Sequence, residues 1–141
     1  MNAHIKWIDG MALAGKAATN HWVMMDGPEN LEGFDAASRP LELVLIGLGG
    51  CTGMDVLSIL KKKRVPLTDF EMKLEAEQAG DYPKVFTKIM IKFILYGKGI
   101  NPQDVERAIE LSETKYCSAS AMLRKTAHIT TEYEIRDNNQ S

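Results

Sequence analysis

Cysteine is scarce in this chain. Two residues, Cys51 and Cys117, are all that its 141 positions contain, and no CxxC occurs, which excludes a thioredoxin-type motif. The three histidines, His4, His21 and His128, are scattered singly on expected strands, without the HxxxH or CxxC spacing of a metal site. No GxSxG elbow supports a serine triad. Charge of one sign is lacking too: the net charge is −2 and the pI about 5.9, so there is no basic footprint for nucleic acid. The KKKR run at 61–64 reads as a solvated helix end. The opening MNAHIKWIDG lacks the apolar run of a signal peptide, and the apolar part of 41–60 is broken by Glu42 and Asp55, a poor membrane span. The expectation is a cytoplasmic, reducing location with no membrane partner, where both cysteines are free thiols.

What remains suits one domain with a real core: 45% of residues are hydrophobic and 26% charged, the balance of an ordinary globular protein. No internal repeat is visible. A single domain over 1–136 with a polar tail at 137–141 is expected.

Asp9-Gly10 suits a tight hairpin turn between strands at His4–Ile8 and Met11–Ala17. HWVMM at 21–25 reads as a third strand, closed by Asp26-Gly27, and 28–38 as a loop. A helix should start near Arg39, with Ser38 as cap, Pro40 in its first turn and Glu42 at the positive end of its dipole. It ends at KKKR, before Pro66. Its length would be roughly 35 Å, and apolar residues on nearly every face predict burial all round.

Phe70, Met72, Leu74 and Ala76 alternate with charged residues, and Val85, Thr87, Ile89, Ile91, Phe93 and Leu95 form the dry face of the next strand. Asn101-Pro102 opens a second helix ending near Tyr116-Cys117. Ser118 caps a short helix through Lys125, and Ala127–Ile135 alternates as the last strand. The order βββ-α-ββ-α-α-β is an α+β fold. One copy of such a sheet does not cover a long helix that is apolar all round, which predicts a homodimer.

LIGLGGCTGMDV, at 45–56, places Cys51 among Gly47, Gly49, Gly50 and Gly53. Each interior glycine costs a helix about 0.5–1 kcal/mol against alanine, a cost explained by close packing, by access to the thiol, or by both. Asp55 lies one turn beyond Cys51, where its charge would disfavour a thiolate if the two are close. Cys117 precedes an expected helix start, whose free N–H groups can lower a thiol pKa. Taken singly, each cysteine is equally a small buried hydrophobe.

The segments RPLELVLIGLGGCTGMDVLSIL and SETKYCSASAMLRKTAHITTEYEI together resemble the OsmC/Ohr family of osmotically inducible and organic hydroperoxide resistance proteins, over residues 1–135. The resemblance implies an intertwined homodimer with a long buried central helix and sites at the subunit interface. It implies a thiol peroxidase in which Cys51 attacks an organic hydroperoxide and Cys117 resolves the sulfenic acid as a disulfide. It also implies no bound cofactor and an external dithiol, dihydrolipoyl in some members, as the reductant. Peroxidase members carry an acid ten residues before the first cysteine and an arginine from an upstream loop. Here Leu41 stands at that place, Glu42 one residue later, and no arginine precedes Arg39. Arg39 and Glu42 are therefore the candidates for that pair, against plain helix-start charges. Leu48, Met54, Trp22 and Phe34 are candidates for an apolar substrate lining. The other readings are a non-peroxidatic thiol protein, such as a redox sensor or a handler of sulfur or electrophile substrates, and a non-catalytic dimer binding a small apolar ligand.

Overall fold

The computed structural model describes residues 1–137; the rest of the expected polar tail lies outside the described residues. The chain divides into two units, Met1–Ile46 and Gly47–Ser141, with the boundary inside one helix.

The first unit holds an antiparallel sheet of β1 (Ala3–Asp9), β2 (Ala12–Ala17) and β3 (Val23–Met25), in that order. Asp9 pairs with Ala12, so the turn residues are Gly10 and Met11, one later than Asp9-Gly10. Gly10 takes φ +54°, and the Asp9 carboxylate accepts its N–H at 2.9 Å, so the acid fixes the entry to the turn from within the strand. The following loop is tied down by Asp26. Its carboxylate accepts N–H bonds from Gly27 at 2.7 Å, Phe34 at 3.1 Å and Ala36 at 3.2 Å. Burial opposes that charge, but the three N–H groups and Arg39 outweigh it and hold the Asp26 carboxyl below its ordinary value. Gly33 is required here, since a Cβ would lie 2.0 Å from the Gly27 carbonyl oxygen.

α1 (Pro40–Lys62) begins in the first unit and continues into the second. Arg39, and not Ser38, takes its cap position: the Arg39 carbonyl accepts the Leu43 N–H, and Glu42 reaches back to the Arg39 N–H at 2.8 Å. The Ser38 carbonyl is engaged instead by the Asp26 N–H at 3.1 Å. By length and composition α1 could cross a membrane, with a mean hydropathy of 1.9 over its most apolar window. One stripe of it is buried, at Leu48, Gly49, Thr52, Gly53, Val56 and Leu60, as in a core helix. Burial all round does not hold within one chain: Leu41, Val44, Ile46 and Met54 are exposed.

In the second unit β4 (Asp69–Gln78) pairs antiparallel with β5 (Phe86–Tyr96), which pairs parallel with β6 (His128–Arg136). β5 is central, and Ile89, Ile91, Phe93, Ile94 and Leu95 on it are buried. A register shift between Glu77 and Gln78 buries Phe86 and exposes Thr87, so the dry face starts differently from the simple alternation. The parallel pair needs a crossover, supplied by α2 (Pro102–Leu111) and α3 (Ser118–Leu123). Asn101 caps α2, accepting the Gln103 N–H at 3.0 Å, and Val105, Ala108 and Ile109 face the core. α2 stops five residues earlier than its apolar pattern suggests. Residues Ser112–Tyr116 widen into a π turn, closed by the Cys117 N–H on the Ser112 carbonyl at 2.8 Å.

Candidate functional site: two neighbouring thiols

The glycines around Cys51 divide by face. A Cβ on Gly49 would lie 3.0 Å from Leu74 Cδ1, and one on Gly53 would lie 2.8 Å from Met72 Sδ. These two let α1 settle on β4 of its own chain. Gly47 and Gly50 have nothing within 4 Å of such a Cβ and leave the helix open there. Cys51 sits between the two faces and is part-exposed.

Cys117 comes to the same place from the other end of the unit. The π turn ends on it, and it caps α3 itself in place of Ser118, its sulfur accepting the Ser120 N–H at 3.4 Å. Thr52 Oγ1, one residue after Cys51, lies 3.2 Å from Cys117 Sγ, and both residues are buried. The two sulfurs and an Asp55 carboxylate oxygen all lie within 4.8 Å of one another. Ser112 Oγ, in the π turn, donates to Asp55 Oδ2 at 3.0 Å. α1 and the crossover thus meet through Thr52–Cys117 and Asp55–Ser112, both contacts made by the turn of α1 that follows Cys51. Both cysteines are free thiols.

Their protons are held unequally. The Ala119 N–H donates to Cys51 and favours its thiolate. Burial, the hydrogen bond to Cys117 and the negative charges of Cys117 and Asp55 outweigh it and push the Cys51 thiol up. Burial alone would raise Cys117 as well, but hydrogen bonds from Thr52, Ser120 and Cys51 hold its thiol below the ordinary value. A low Cys51 pKa is what an isolated peroxidatic cysteine would show. Here the better hydrogen-bonded sulfur, Cys117, is the more acidic of the two.

Leu48 is wholly buried in the core, while Met54 is 74% exposed. Neither lines the pocket of about 410 Å³ that Asp55 shares with Ser58, Ile59, Lys62, Leu111 and Tyr116. Arg39, Glu42, Trp22 and Phe34 belong to the first unit. The Arg39 guanidinium pairs with the Asp35 carboxylate and donates to the carbonyls of Asp26 and Ala37, and Glu42 binds the Arg39 main chain and not its guanidinium. Trp22 lies under the Lys16 ammonium, 4.8 Å from its ring centre, and Phe34 is exposed. Sequence reasoning missed Thr52, Ser112 and Ser120. Cys-x-x-x-Asp is a helical i, i+4 pair and points to one side of α1, but no spacing in the sequence announces the hydroxyls that meet it.

Residues 33–132 match the OsmC-like protein family, most of the chain. The chain belongs to that family. Protein YhfA of Escherichia coli K12 is 41% identical over 135 residues, covering 96% of this chain and 98% of the relative. Among solved structures, a hypothetical protein from Aquifex aeolicus VF5 is similar at 28% identity, with a TM-score of 0.84 and coverage of 98% and 97% of the two chains. An organic hydroperoxide resistance protein OsmC from Legionella pneumophila shares the fold at 16% identity, with a TM-score of 0.70 and coverage of 95% and 97%.

Proposed function

We propose that this protein is a cytoplasmic thiol peroxidase that reduces organic hydroperoxides through Cys51 and Cys117. The observation that carries the reading is the contact between the two thiols, each accepting an N–H from the first turn of α3. Related folds whose names refer to organic hydroperoxide resistance support the substrate class.

Cys51, the more exposed sulfur, attacks the terminal peroxide oxygen while its proton passes to the Cys117 thiolate. The O–O bond breaks, and the departing alkoxide takes that proton to become the alcohol. Cys51 is now a sulfenic acid and Cys117 a thiolate again. Cys117 attacks the Cys51 sulfur, the S–O bond breaks, and hydroxide leaves to form water with a solvent proton. The resulting disulfide accepts two electrons and two protons from an external dithiol, for which a dihydrolipoyl group is the candidate. No bound cofactor takes part in these steps.

The acting species is a homodimer, in which a second copy covers the exposed Leu41, Val44, Ile46 and Met54 of α1. Steady-state turnover of an alkyl hydroperoxide with a dihydrolipoyl dithiol tests the reading. Consumption that vanishes in Cys51→Ser supports it, and a wild-type rate no faster than the free dithiol contradicts it. The raised Cys51 thiol favours a second reading, a redox sensor that is oxidised once and turns over slowly. Stoichiometric disulfide formation without sustained turnover would select it.

A further inference from the structure

We propose that the reduced site binds a thiophilic divalent cation, Zn²⁺ in the first instance, through Cys51 Sγ, Cys117 Sγ and an Asp55 carboxylate oxygen. These three atoms lie within 4.8 Å of one another. Around four-coordinate zinc, with Zn–S near 2.3 Å and Zn–O near 2.0–2.2 Å, ligand atoms stand about 3.5–3.8 Å apart, so the cluster needs only a small contraction. Cys51 and Asp55 are an i, i+4 pair on one helix, the spacing by which two histidines of a helix share a zinc ion. Cys117 completes the set from the α2–α3 junction.

Every ligand is held by an outer partner. Ser112 Oγ occupies Asp55 Oδ2, Thr52 and the Ser120 N–H hold Cys117, and the Ala119 N–H holds Cys51. Three protein ligands and an open fourth position describe an accessible site, and the 410 Å³ pocket walled in part by Asp55 gives solvent its approach. Asp55 has no part in the peroxide steps above. A carboxylate facing two sulfurs is repulsive for thiolates, and a divalent cation turns the same three groups into a matched set. The bound cation engages the sulfur lone pairs that would attack peroxide, so cation and hydroperoxide compete for one site. The proposal needs only reduced thiols and stands apart from the peroxidase reading.

The test is titration of the reduced, chelator-treated full chain with Co²⁺, followed by displacement with Zn²⁺. The expected result is one Co²⁺ per chain with a thiolate-to-cobalt charge-transfer band, lost in Cys51→Ser and Cys117→Ser. Asp55→Asn, an isosteric change whose fold circular dichroism checks, should weaken binding by tenfold or more. Ser112→Ala, which frees the carboxylate, should weaken it by about tenfold. No thiolate band with both thiols reduced would overturn the proposal, as would equal affinity in folded Asp55→Asn. Disulfide formation in chelated protein is measured separately, so either reading can fail while the other stands.

Discussion

The middle of α1 and the α2–α3 junction each deliver one thiol to the same point, yet the two regions treat it differently. On α1, Cys51 has a regular helical backbone, open glycine surface on one side, and a carboxylate one turn away. At the junction, Cys117 is buried, sits where a π turn hands over to a new helix, and is surrounded by donors. The first region provides access and the second lowers a thiol pKa. Reactivity in such a pair belongs to both sulfurs, since the accessible one carries the proton that the acidic one can accept.

Removing one sulfur has the largest effect. Cys51→Ser and Cys117→Ser should each abolish the intramolecular disulfide, with Cys51→Ser also removing peroxide consumption; thiol mapping and turnover read this directly. Cys117→Ser has a second consequence. The Cys51 thiol loses the neighbour whose hydrogen bond and charge hold it up, while it keeps the Ala119 N–H, so it should become more acidic. In wild type, thiolate absorbance should rise in two steps, the first below the ordinary thiol range from Cys117 and the second above it from Cys51. A single step at the ordinary value would remove the asymmetry.

Smaller changes shift the balance between the two thiols. Thr52→Val replaces a buried donor to Cys117 by a methyl of similar shape; the Cys117 thiol should rise, and the cost in stability should be about 1 kcal/mol by urea melt. The glycines compare the two faces of α1. Gly49→Ala meets Leu74 Cδ1 at 3.0 Å and should destabilise the fold. Gly50→Ala meets no atom of another element within 4 Å among the described residues, and in an isolated chain it should stabilise by about 0.5–1 kcal/mol through helix propensity. If Gly50→Ala instead costs stability and shifts the protein from dimer to monomer in light scattering, that face is where a second copy packs.

Much of this architecture was legible in the sequence because it rests on periods. Alternation in β4, capping of α2 by Asn101 and the extent of α1 each follow from a local pattern. The misplaced details are those decided by one tertiary bond. The π turn begins at Ser112, which serves Asp55 from 57 residues away, and the bulge near Glu77 swaps Phe86 and Thr87 without a glycine or proline to mark it. Ser118 is a better cap than cysteine by type, but the backbone turns one residue earlier and the cap falls on Cys117. Asp26 reads as the end of a strand, while its work is to gather N–H groups from residues 8 and 10 positions on. For the site, the two cysteines could be singled out from sequence; their hydroxyl partners, brought in by distant elements, could not.

The most direct test of the paired-thiol account is treatment of the reduced, chelated protein with one equivalent of an alkyl hydroperoxide and mapping of both thiols by mass spectrometry over seconds. Rapid conversion to a Cys51–Cys117 disulfide, absent from Cys51→Ser, is the result the account predicts. Two thiols still free after minutes would contradict it.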